Sequence, residues 1–189
     1  VGGVRGLMGG GQSQPAGAKC DNINYFNLAS AGDTIDFGDM TGTRNAMCGG
    51  VGSRTRGIFA GGDGDPTYSN TIDYVTIASI GNATDFGDMT ERFGSYGSGS
   101  AGNQTRGVWF GNRDQDDASP FAASYNNKID YVTIASTGNA NDFGDLTRTC
   151  SLLLGAFSSS TRAFAAGGAN GSGETNIIDQ FVIATTGNA

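Results

Sequence analysis

The sequence predicts an all-β protein assembled from copies of one supersecondary unit, and three observations carry that prediction. The first is repetition: NTIDYVTIASIGNATDFGDM, Asn70 to Met89, returns as NKIDYVTIASTGNANDFGDL from Asn127 to Leu146, identical at 16 of 20 positions with an offset of 57 residues. A looser copy, DNINYFNLASAGDTIDFGDM, spans Asp21 to Met40, and a fourth, NIIDQFVIATTGNA, runs from Asn176 to Ala189. Repeats of roughly 50 residues signal stacked units, none of which buries its hydrophobic faces alone. The second is composition. Glycine supplies 33 of 189 residues, whereas Glu and Lys occur twice each and Leu six times, so good helix formers are scarce. The third is the alternation of Thr, Ile, Val, Tyr and Phe in the repeated stretches with Gly, Asn, Asp and Ser between them, the pattern of short strands and tight turns.

Each unit reads as four strands. A Ser/Gly-rich run after an arginine (44–53, 92–101, 148–160) suits an inner strand, where neighbours crowd and side chains must be small. The second strand is a short apolar run ended by glycine: Arg5-Gly-Leu-Met-Gly-Gly, Arg56-Gly-Ile-Phe-Ala-Gly-Gly, Arg106-Gly-Val-Trp-Phe-Gly-Asn and Arg162-Ala-Phe-Ala-Ala-Gly-Gly. The third is IDYVTIAS, with Ile72, Tyr74 and Ala78 on one face and Val75 and Ile77 on the other. Both faces carry apolar residues, which implies sheets stacked face to face. A short outer strand at ATDFGDM closes the unit. The predicted division is a partial unit at 1–43, full units at 44–91 and 92–147, and a partial unit at 148–189. These hold 3, 4, 4 and 3 strands, two short of four complete units.

The glycine doublet ending the second strand, the Tyr-containing third strand, the short fourth strand and the Arg opening the next unit resemble kelch-type β-propeller repeats, over essentially the whole chain. That resemblance implies a propeller of which this is an incomplete segment, either part of a longer polypeptide or completed by neighbouring chains in a homo-oligomer. The IDYVTIASTGNA-DFGDL wording is similar to repeat proteins encoded by marine bacteriophages that infect cyanobacteria. This implies a tail-fibre or other virion role, hence a virion or extracellular location.

Charge and composition exclude several functions. A net charge of −7 repels phosphate backbones and anionic membranes, so nucleic acid is not an expected partner. The longest apolar runs, such as Leu152 to Leu154, fall far short of the ~20 residues of a membrane span. The absence of histidine removes the usual general base, the common zinc and copper ligand, and every Ser-His or Cys-His arrangement. No pair of carboxylates stands out among 16 Asp and two Glu, so no glycosidase is indicated. The triplet DFG at Asp36, Asp85 and Asp142 lacks every other kinase motif. Its aspartates are expected to cap turns or to pair with arginines, for example Asp88 with Arg92 or Arg106. Three cysteines, Cys20, Cys48 and Cys150, at no recurring place indicate no disulfide framework, leaving at most an intermolecular bridge through Cys20 in a loop. The expected protein is therefore not an enzyme and needs no cofactor.

Binding is expected at the variable end of the units. The third-to-fourth turns (SAGDT, SIGNAT, STGNAN) are monotonous, whereas the second-to-third loops differ completely: Gln12 to Asp21, Asp63 to Asn70, Asn112 to Asn127 and Ala169 to Thr175. The longest, NRDQDDASPFAASYNN, supplies the candidate contacts Arg113, Asp114, Asp116, Asp117, Phe121 and Tyr125. Aromatic faces beside planar polar groups suit sugar rings, so the expected ligand is a host-surface glycan or a neighbouring virion subunit. The competing reading is a solvated insertion anchored by Phe121 and Tyr125. Asp63 and Asp65, or Asp114, Asp116 and Asp117, offer oxygens for calcium, but neither run completes an EF-hand loop. An intracellular kelch adaptor, a bacterial surface adhesin and a carbohydrate-active enzyme are the alternative functions.

Overall fold

A computed structural model describes residues 4–45, 49–64, 67–94, 99–114, 124–150, 155–170 and 172–189, all in strands, turns and loops. Among them there is no helix, hence none that could cross a membrane. The first sheet holds β1 (Arg5–Gly9), β2 (Cys20–Asn27) and β3 (Ile35–Arg44) in that order. The second is an antiparallel meander of β4 (Gly50–Gly52), β5 (Arg56–Ala60), β6 (Thr71–Thr76) and β7 (Thr84–Asp88). In the third, β8 (Gly99–Gly102) and β9 (Arg106–Phe110) are followed by a two-stranded hairpin, β10 (Arg113–Asp114) and β11 (Ser124–Tyr125), before β12 (Lys128–Thr133) and β13 (Asn141–Asp145) complete the sheet. The fourth has β14 (Gly155–Ser158) and β15 (Arg162–Ala166), a second hairpin of β16 (Ala169–Asn170) and β17 (Gly173–Glu174), and β18 (Ile178–Val182) on its outer edge. The expected 3, 4, 4 and 3 strands are thus present. All four sheets are open, and none closes on itself.

Some expectations need correction. The IDYVTIAS strand stops at Thr76, where the Ser79 N–H donates to the Thr76 carbonyl at 3.2 Å, so Ile77 and Ala78 lie in a turn. Cys20 opens β2 instead of lying in a loop, and both described cysteines, Cys20 and Cys150, are free thiols. Cys48 falls outside the described residues.

The sheets stack because each third strand is apolar on both faces, as its alternation predicts. Ile72 clusters with Phe86, Met89 and Trp109, whereas Val75 and its sheet-mate Phe59 face Phe37 and Met40 of the first sheet. Three apolar clusters result among the described residues, one at each junction between successive sheets. Ile23, Ile72 and Ile129, equivalent in the three outer-strand-bearing units, are 0% exposed; full burial of such a side chain contributes about 1.5–3 kcal/mol.

Polar contacts recur at every junction with the same residues. The Arg5, Arg56 and Arg106 guanidinium groups lie over Tyr25, Tyr74 and Tyr131 of their own sheets, 4.6–4.7 Å from the ring centres. Each donates onward to a carbonyl of the following sheet, Ile77 at 2.7 Å, Ile134 at 2.9 Å and Ile183 at 3.0 Å. The third-to-fourth turn of each following sheet docks on the outer strand of its predecessor. Gly81, Gly138 and Gly187 donate N–H to the Phe37, Phe86 and Phe143 carbonyls at 2.7–2.8 Å. Asn82, Asn139 and Asn188 accept the Asp39, Asp88 and Asp145 N–H at 3.1 Å. The backbones meet so closely that a Cβ on Gly38, Gly87 or Gly144 would lie 2.5–2.6 Å from main-chain atoms opposite. These glycines also sit at φ of +140° to +143°, so no other residue fits. The monotony of the SxGNA turns is the signature of this contact.

Candidate functional site at the variable-loop end

The second-to-third loops and the links between sheets lie at one end, as expected, because they bond to each other. Asn45 and Asp63 exchange backbone hydrogen bonds at 3.0 and 2.8 Å, Gly62 donates to the Phe93 carbonyl at 2.6 Å, and the Asn112 amide donates to Arg92 O at 2.8 Å. On this shared frame the loops differ in length and in what pins them. Residues 12–19 form a small closed loop around the Gln12–Lys19 bridge, and Lys19 reaches across to the Asp63 carboxylate at 2.9 Å. The second loop is pinned by the Asp63–Tyr68 bridge, the third and fourth by β10–β11 and β16–β17. These hairpin strands are two residues each, too short to show any alternation in the sequence.

Of the predicted contact residues, Arg113 pairs with Tyr125 and Asp114 with Ser124 across the hairpin backbone, and Tyr125 is half-buried. The hairpin is closed at its base by the Asn126 N–H donating to the Asn112 carbonyl at 3.0 Å. Asp116, Asp117 and Phe121 lie outside the described residues, as does Asp65. Asp63 has its carboxylate engaged by Lys19. No group of three or more His, Cys, Asp or Glu side chains is placed to hold a metal among the described residues.

A feature that the sequence did not flag is a polar cleft of about 430 Å³ beside the second loop. Thr41, Gly42 and Thr43 of β3 face Tyr68, Ser69 and Asn70 across it. Its presence has a local cause. At the next junction Glu91 stands where Gly42 stands here, and its carboxylate binds Lys128 and accepts from the Asn126 amide at 3.0 Å. A glycine against a glutamate at equivalent positions was the available signal.

The base of this end is electrostatically built. Thr41, Thr90 and Thr147 each donate both N–H and Oγ–H to a buried aspartate of the following sheet, Asp73, Asp130 and Asp179. Arg44 adds an ion pair to Asp73 and Arg148 one to Asp179 at 2.6 Å. Arg44 and Arg148 therefore serve the aspartate of the third strand, and Arg106, expected beside Asp88, instead lies over Tyr131 and donates to the Ile183 carbonyl. The first aspartate of each DFGD does cap a turn, accepting the N–H of Gly38, Gly87 or Gly144 at 2.9–3.1 Å. Burial pushes the Asp130 carboxyl above its ordinary range, against the opposing hydrogen bonds from Thr90. Burial likewise raises the Cys150 thiol, which packs within the apolar cluster between the third and fourth sheets.

Comparison with protein-family models finds none that matches, and comparison with curated proteins finds no match either.

Proposed function

We propose that this chain is a segment of a kelch-like β-propeller acting as a non-enzymatic binding or structural module of a virus particle. On this reading its variable loops meet a host-surface glycan or a neighbouring virion subunit. One observation carries the reading: three junctions repeat the same arginine–tyrosine, glycine-turn and threonine–aspartate contacts, while the four loops at one end differ in length and sequence and are pinned by single bridges in two cases and by two-stranded hairpins in the other two. A constant scaffold with variable loops is the arrangement of a recognition surface. The polar cleft, with hydroxyl and amide groups beside the Tyr68 ring, and the 113–125 hairpin are the two features that suit a sugar. Several weak contacts on a rigid frame, multiplied by oligomeric copies, give avidity without a deep pocket.

The test replaces residues 113–125 by a two-residue turn, an excision that leaves the Asn112–Asn126 closure in place. Binding to polysaccharides of the host envelope, measured on immobilised glycans, is expected to fall at least tenfold with an unchanged thermal midpoint. Unchanged binding overturns the assignment of that loop.

A further inference from the structure

We infer that the polar cleft beside the second loop takes the acidic unit of a glycan, a hexuronate, with its carboxylate between Gly42 and the hydroxyls of Ser69 and Thr71. This deepens the glycan reading and rests on it. The cleft is a vacated side-chain site. Its wall is the residue that follows the aspartate-binding threonine, Thr41, and the same position is occupied at the other two junctions. After Thr90 comes Glu91, whose carboxylate pairs with Lys128. After Thr147 comes Arg148, which donates to Asp179 at 2.6 Å and to the Gly167 and Ile177 carbonyls at 2.7 and 3.1 Å. After Thr41 comes Gly42, and the space that a side chain fills elsewhere opens into about 430 Å³. That volume lies within the range of small-ligand sites.

The second junction shows which group fits that space. There the Glu91 carboxylate accepts from the Asn126 amide at 3.0 Å and pairs with Lys128. Ser69 and Thr71 are their equivalents in the cleft: Ser69 Oγ accepts the Thr71 N–H at 3.0 Å as Asn126 Oδ1 accepts the Lys128 N–H at 3.3 Å. Two short hydroxyls thus replace a long amide and a longer ammonium, which leaves room for a ligand's ring as well as its carboxylate. The positive charge that Lys128 supplies next door comes here from Arg92, which also lines the cleft. Arg44, at the base, is balanced by Asp73. Among the described residues no acidic side chain lines the cleft, although the chain carries a net charge of −7. Hydroxyls beside an arginine, with no carboxylate among them, favour a hydroxylated anion over a neutral sugar or a cation.

The experiment titrates the whole chain with digalacturonate and with its dimethyl ester, which has the same rings and no charge, and follows main-chain amide shifts by NMR. Digalacturonate is expected to shift the amides of residues 41–43 and 67–71 and to bind about tenfold more tightly than the ester, the worth of one charge-assisted contact. Gly42→Glu puts back the side chain of the next junction. A Cβ at Gly42 meets nothing within 4 Å, so this variant keeps the fold and is expected to lose binding. Arg92→Gln is expected to weaken digalacturonate about five- to tenfold and to leave the ester unchanged. Excision of residues 113–125 is expected to leave cleft binding unchanged, so a failure of the hairpin assignment and a failure at the cleft are read separately. Equal binding of acid and ester overturns the inference. So does full binding by Gly42→Glu, or a titration that shifts none of the amides of 41–43 and 67–71.

Discussion

The junction between the second and third sheets and the two that flank it bury the same carboxylate in two different ways. Asp73 and Asp179 each receive a threonine and an arginine, whereas Asp130, 1% exposed, takes its hydrogen bonds from Thr90, with Lys128 as a more distant balancing charge. The lesson is that threonine is the constant partner of the buried aspartate and the arginine an addition. Two N–H or O–H donors at 2.7–2.8 Å satisfy Asp130 enough to keep it inside, yet burial still lifts its proton affinity. Where a guanidinium sits beside the carboxylate, two charges are buried together, and each then depends on the other.

That contrast can be broken most severely at Asp73. Asp73→Asn leaves Arg44, 2% exposed, with a buried charge facing a neutral amide, and a loss of about 3–5 kcal/mol is expected in denaturant unfolding. Arg44→Met in the same chain is expected to recover part of it, a coupling that a double-mutant cycle reads directly. Next in size, Thr90→Ala removes the Asp130 side-chain donor, for an expected loss of about 1–3 kcal/mol. Asp130→Asn is expected to cost less than about 1 kcal/mol, because no buried cation loses its partner.

The pH dependence of that last variant sharpens the point. Asp130 is raised in the folded state, so it favours folding fully only below its unfolded value of 3.8 and loses that contribution as pH rises through the folded value. Asp130→Asn is therefore expected to gain relative to the wild-type chain between acid and neutral pH. A stability difference that stays flat over this range would contradict the burial argument. The smallest effect belongs to Glu91→Gln. It weakens a half-exposed pair with Lys128 and is expected to change stability by less than about 1 kcal/mol.

Much of this was legible in the residues. Strand content, the 3-4-4-3 grouping and the two apolar faces of the third strand follow from periodicity and repetition, which are local signals. The turn-capping role of Asp36, Asp85 and Asp142 is also local, since the acceptor and the glycine it caps are two residues apart. The pairing of Arg44 with Asp73 was not legible. These residues lie 29 positions apart, on different sheets, and several arginines and aspartates recur with similar spacing. The two loop hairpins escaped for another reason. β10, β11, β16 and β17 are two residues each and carry no alternation that a sequence window could register. The polar cleft depends on what is missing at Gly42, and absence of a side chain becomes a signal only once Glu91 is seen filling the equivalent place.

The glycine contact between a DFGD strand and the following SxGNA turn has a bearing on how such a chain changes over generations. Because the contact is made by main chain on both sides, it places no demand on which unit stands beside which. Neighbouring units can be duplicated, deleted or exchanged by recombination within the near-identical stretches 70–89 and 127–146 without redesigning a junction. Diversity is thereby pushed to the far end of the strands, where an insertion such as 113–125 changes what is displayed and leaves the seam between units as it was.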